Sequence, residues 1–144
     1  MKNYILSVLS ALFLISVLNC SSANAKNQHI QREWMMISFT GFTKDQLIAN
    51  RAGINLTGEK LNNLIQGSAV MGCNKMFFAT EFRGKGKLNI SDIKSSEMAC
   101  KNMDLENKFL KSFPAMNYYQ IEGHYLTLSD DKGNKMKFIA ADWD

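Results

Sequence analysis

Two cysteines constrain this chain more than any other pair of residues. A bond between Cys73 and Cys100 would tie the middle of a short sequence to itself and fix where a strand, a loop and a helix must meet. Whether they pair depends on compartment, and the first residues of the chain address that. Lys2 gives a positive start, and Tyr4 to Leu18 form an apolar stretch interrupted only by serines. Ala23-Asn24-Ala25 then places small residues where a signal peptidase reads them. Residues 1–25 are therefore expected to be a secretory signal, and residues 26–144 a single exported domain. The apolar run is shorter than the ~20 residues a spanning helix needs. The expected location is the periplasm.

An alternative stays open at the third cysteine. Val17-Leu18-Asn19-Cys20 resembles a lipoprotein processing site, which would leave an outer-membrane lipoprotein acylated at Cys20, although Asn19 stands where a small residue is wanted. If Cys20 instead leaves with the signal, an even pair remains in an oxidising compartment, and a Cys73–Cys100 disulfide follows. Closing a loop of that length contributes roughly 3–4 kcal/mol in the chain-entropy model. No Cys-x-x-Cys occurs, neither His29 nor His124 has a context that marks it as a partner, and two Cys and two His so scattered match no zinc spacing. No metal, cofactor or catalytic residue is expected.

Composition excludes further classes. Hydrophobic residues make up 46% and charged residues 21% of the 144, as in an ordinary globular domain. Without residues 1–25 the chain holds 16 Lys and Arg against 13 Asp and Glu, a net charge of +3 and too little to imply nucleic acid. Lys75, Arg83, Lys85 and Lys87 nevertheless gather near one hairpin in the sequence. They are candidates for a patch facing an anionic partner such as lipid headgroups at a membrane surface.

The periodicity is mostly that of strands. Trp34 to Phe39 is rich in aromatic and long apolar residues, and Trp34 reads as a core anchor whose indole N–H seeks a partner. Residues 26–33 read as a loose polar lead-in. A turn at 40–43 and a short segment to Ile48 follow, and Ala52 to Leu56 alternates as a half-buried strand does. Leu61 to Gln66 is ambiguous. Gly72-Cys73-Asn74 suits a backbone that bends sharply and presents the sulfur inward. Met76 to Phe82 is the strongest strand, with Phe78 and Phe82 on one face and Phe77 on the other. Arg83 to Lys87 is a hairpin turn, Leu88 to Ile90 a strand, and Ser91 to Ser96 a polar stretch. From Asp104 the period changes: Leu105, Phe109 and Phe113, widened by Leu110, make one apolar helix face, which Pro114 ends. Three strands at 118–122, 125–129 and 135–140 close the chain, joined by turns of which the first leaves His124 exposed.

Gly72-Cys73-Asn74 and Met98-Ala99-Cys100, with Trp34 opening the first strand and Leu126-Thr127-Leu128 then Phe138 closing the last, resemble the META domain family of HslJ-like bacterial proteins. Where many members carry Thr, this chain has Ser96. The resemblance implies an α+β fold: a small single domain with a strongly curved, mostly antiparallel, barrel-like sheet of about seven or eight strands packed on one helix. It also implies a non-enzymatic envelope protein contributing to heat or antibiotic stress tolerance, expected to be monomeric and to bind another envelope protein or lipid. A carrier of a lipid or small apolar ligand, held between sheet and helix, is the alternative, since nine methionines would suit adaptable walls. An inhibitor of a secreted hydrolase, using Arg83 to Lys87, is the third reading.

Overall fold

The structure, a computed structural model, describes residues 29–143. The expected signal segment and Cys20 lie outside the described residues. The strands are β1 (Glu33–Phe39), β2 (Gly53–Asn55), β3 (Lys60–Leu61), β4 (Leu64–Val70), β5 (Lys75–Arg83), β6 (Lys87–Ser95), β7 (Tyr118–Glu122), β8 (Tyr125–Ser129) and β9 (Lys135–Ala140). A short helix α1 (Lys44–Ala49) follows β1, and the longer α2 (Asp104–Ser112) joins β6 to β7.

All pairings are antiparallel, in the order β2-β1-β9-β8-β7-β6-β5-β4-β3, and β2 also pairs with β4. That second pairing closes eight strands into a ring. β3 lies outside the ring, end to end with β2 along the same edge of β4. Eight strands enclose a space that side chains just fill, and they fill it here. Trp34, Phe109, Phe113, Phe138, Leu126, Leu128 and Met136 are all 1% exposed or less. The indole of Trp34 donates to the Ile30 carbonyl at 3.0 Å, so the expected anchor is in place. Its acceptor belongs to the lead-in: Ile30 is itself core at 3% exposure, so that segment is partly docked rather than loose.

Alternation builds most of the ring. In β9, Met136, Phe138 and Ala140 point inward and their neighbours outward. In β1 a register shift between Met36 and Ser38 swaps the parity, so that Phe39 rather than Ser38 enters the core. The seam between β6 and β7 is the weakest, with one residue pair, Lys87 with Tyr118. The α2 segment and the 3-10 turn after it pack here, and Phe113 meets Phe78 edge to face at 4.9 Å.

Four stretches differ from the sequence reading. The segment to Ile48 is a helix, because Thr43 and Gln46 form a reciprocal capping box. The ambiguous run 61–66 is a tight hairpin, in which Asn62 and Asn63 both adopt positive φ. The polar run from Ser91 continues β6 to Ser95, with Asp92 at φ 53° where the β5–β6 register shifts. His124 is half-buried against Trp143 rather than exposed, with the ring centres 3.3 Å apart.

Candidate functional site

The two motif phrases meet at one end of the barrel, where β4 gives way to β5 and β6 to the α2 approach. Gly72 turns the chain at φ 114°, a conformation that favours glycine. Cys73 and Cys100 are bonded, with Cα atoms 6.2 Å apart. The bend does not turn the sulfur inward: Cys73 is half-buried and Cys100 exposed. The residue that turns inward is Asn74, 2% exposed.

Asn74 is fully engaged. Its Oδ1 accepts from the Ser96 hydroxyl at 2.8 Å and from the Met98 backbone N–H at 2.8 Å. Its Nδ2 donates to the Met98 carbonyl at 3.1 Å and to Glu106 Oε1 at 2.7 Å. Its backbone N–H donates to Glu106 Oε2 at 2.8 Å. Glu106 is 1% exposed and makes no ion pair among the described residues. Both its oxygens are met by one asparagine, and its place in the first turn of α2 sets it against the positive end of the helix dipole. This knot holds the 96–100 loop and α2 against the start of β5, with the disulfide outside it. Met98 keeps an exposed side chain while its backbone is bound, and Ala99 links it to Cys100.

The basic residues do not form one patch. Lys75 begins β5 and Arg83 ends it, about 26 Å apart at strand spacing. At the hairpin, Arg83 donates to Glu81 through Nε at 2.8 Å and Nη2 at 2.5 Å. That hydrogen bond, chiefly, holds the Glu81 carboxyl below the usual carboxylate range. Lys87 lies over the Tyr118 ring at 3.8 Å, and Lys85 sits at the tip with φ 62°.

Lys75 belongs instead to a groove of ≈ 450 Å³ on the outer face of the barrel. α1 and its exit form one wall with Leu47, Ile48 and Arg51, and outward positions of β1, β2 and β4 form the floor. Register places Met35, Gly53, Val70 and Lys75 side by side on successive strands, with Glu33, Asn55 and Ser68 in the next row. Ile48 is 60% and Met35 49% exposed. Asn55 Nδ2 donates to Glu33 at 2.7 Å, which holds a carboxylate at that end of the groove. Among the described residues Arg51 and Lys75 make no ion pair, and no group of three His, Cys, Asp or Glu gathers as metal ligands would.

The META domain profile matches residues 27–143. The chain belongs to the META domain family. No curated protein matches it. Among solved structures it is similar to a protein from Burkholderia xenovorans determined by NMR, at 16% identity and TM-score 0.59 over 78% of this chain and 83% of that one. It is also similar to a DUF4847 family protein from Bacteroides vulgatus, at 13% identity and TM-score 0.52 over 83% and 99%. A second NMR structure matches at 22% identity and TM-score 0.54 over 78% and 91%. At these identities the likeness is one of fold.

Within this META domain two features escaped the sequence. Glu106 lies on the apolar stripe of α2, one residue after Leu105 and three before Phe109; an acid on a buried face was the signal. The groove wall required α1, which the Thr43-x-x-Gln46 spacing announces.

Proposed function

We propose that this META domain is a non-enzymatic exported envelope protein that supports stress tolerance by binding another envelope component at the α1 groove. The observation that carries this reading is the exposed apolar floor beside Met35 and Ile48, on a molecule whose interior is already filled. Apolar surface concentrated in a concavity is where small molecules and partner side chains bind. A carrier role is a second reading, and it rests on the same groove. The space between sheet and α2 is occupied by Phe109 and Phe113, each 1% exposed.

The test is complementation. In a strain lacking the gene, the wild-type chain should restore survival under heat and antibiotic challenge. Met35→Glu, which places a charge on the groove floor at an exposed position, should accumulate to the same level and fail to restore it. Full rescue by Met35→Glu would remove the groove from the function.

A further inference from the structure

The bridge between Cys73 and Cys100 lies beside the knot but is independent of it. Every residue from Lys94 to Asn102 is exposed, so the Cys100 end of the bridge stands in solvent while Cys73 is half-buried. Both flanks of Cys100 are held without sulfur. Asn74 binds the N–H and the carbonyl of Met98, and Asn102 Oδ1 accepts from the Asp104 N–H at 3.1 Å where α2 begins. Between these anchors no hydrogen bond to Ala99, Cys100 or Lys101 is present among the described residues. The three form a short arch tied to the turn before β5 by the sulfur of Cys100.

That placement decides two things about the sulfur chemistry. An external thiolate attacks one sulfur of a disulfide, and access selects which one; here Cys100 is the sulfur that solvent reaches. Opening the bridge also leaves the junction closed, because the bonds from Asn74 to Ser96, Met98 and Glu106 involve neither cysteine. The bridge can therefore open in the folded domain.

We propose that Cys100 is a thiol-exchange site, at which a low-molecular-weight thiol forms a mixed disulfide with the folded domain and releases Cys73 as the resolving thiol. The incoming thiolate bonds to Cys100 Sγ as the Cys73–Cys100 bond breaks, and the electron pair of that bond leaves on Cys73 Sγ, which takes a proton from water. A thiol at Cys73 has an acceptor in place, since the Met98 carbonyl lies 3.5 Å from its sulfur. Two exits follow. Cys73, again as thiolate, attacks the mixed disulfide, restores the bridge and expels the thiol. Alternatively a second thiolate attacks the mixed disulfide on the sulfur of the first thiol, so that the two leave as their own disulfide and Cys73 and Cys100 are both reduced, two electrons having passed to the protein. The first exit makes Cys100 a reversible S-thiolation site. It is separate from the α1 groove and does not depend on what the groove binds.

The test uses the oxidised wild-type chain, so no variant has to fold. Reduced glutathione is added in buffers of increasing urea, all below the unfolding transition, and the reaction is quenched with N-ethylmaleimide and mapped by peptide mass spectrometry. Glutathione should appear on Cys100 in severalfold excess over Cys73, with the maleimide on Cys73 of the same chains. Attack on the folded domain should give a rate of bridge loss that changes by less than about twofold per molar urea, whereas attack that waits for unfolding should speed up about tenfold or more per molar, because the unfolded population grows with the denaturant slope. After full reduction by dithiothreitol the amide spectrum should stay dispersed, with shifts concentrated at Cys73 and residues 98–103. A rate that climbs with urea as unfolding does, glutathione mainly on Cys73, or collapse of the amide dispersion on reduction would each overturn the proposal.

Discussion

Strands β4 and β5 carry two opposite solutions to exposed surface. At their inner end Asn74 satisfies two oxygens of Glu106, the Ser96 hydroxyl and both backbone groups of Met98. On their outer face Val70 and Lys75 border a groove whose apolar floor is part-exposed at Met35 and whose cations make no ion pair among the described residues. The first region has no freedom left and therefore fixes the fold. The second has unspent contacts, which is the condition for binding. Gly72-Cys73-Asn74 and Met98-Ala99-Cys100 fall in the first region, while Trp34 lies behind the groove, so these two phrases report on architecture rather than on the candidate site.

The sharpest way to break the contrast is Asn74→Ala. It strips partners from Met98, Ser96 and one Glu106 oxygen at once, and buried unsatisfied groups of this kind cost about 3–4 kcal/mol together. Asn74→Asp keeps the shape but replaces the donor facing Glu106 with a second carboxyl, so urea denaturation should show it no more stable than the alanine variant. If Asn74→Asp matches the wild type, the Asn74–Glu106 bonds do not hold this end of the barrel. Substitution of groove residues at the exposed positions Met35 and Ile48 should change stability by no more than about 0.5 kcal/mol.

The disulfide should come next. It spans 27 residues, and its loss should cost about 3.5 kcal/mol on the chain-entropy account. Because the knot binds the same loop from within, reduction should lower the melting temperature without unfolding the domain at room temperature. A free-thiol assay giving two thiols from Cys73 and Cys100 under oxidising conditions would show that the bridge is not formed.

Much of this architecture was legible. Alternation at 118–122, 125–129 and 135–140 marks three barrel strands, and the four-residue period of Leu105, Phe109 and Phe113 marks α2, because in both cases one face is buried and one is not. What stayed hidden is what pattern cannot carry. Ring closure through β2 depends on three residues pairing with two strands at once. The two-residue β3 is too short to show a period, and only its Asn62-Asn63 turn betrays it. The disulfide was readable from cysteine number and an expected oxidising compartment, but the burial of Asn74 in place of the sulfur was not, since its partner lies 32 residues away. The groove joins α1 to an outward row that exists only once the register is set.

The hairpin supplies the smallest and most discriminating comparison. Lys75, Arg83, Lys85 and Lys87 look alike in sequence, yet Arg83 is committed to Glu81 while Lys75 and Arg51 are not. The Glu81 side chain is part-exposed, and its pKa is lowered, first by the hydrogen bond from Arg83 and, against desolvation, by the charge of Arg83. A carboxyl with a lowered folded pKa contributes its stability above the unfolded value and loses it as pH falls through the folded value. The contribution is screened at an exposed site, so melting should barely register it and an NMR titration should. Glu81 should titrate below the usual carboxylate range, and Arg83→Gln should return it to that range. If Arg83→Gln leaves the Glu81 midpoint where it was, Arg83 is free in solution. The hairpin would then carry Arg83 beside Lys85 and Lys87, all three without an ion pair among the described residues, and be the denser cationic surface of the two.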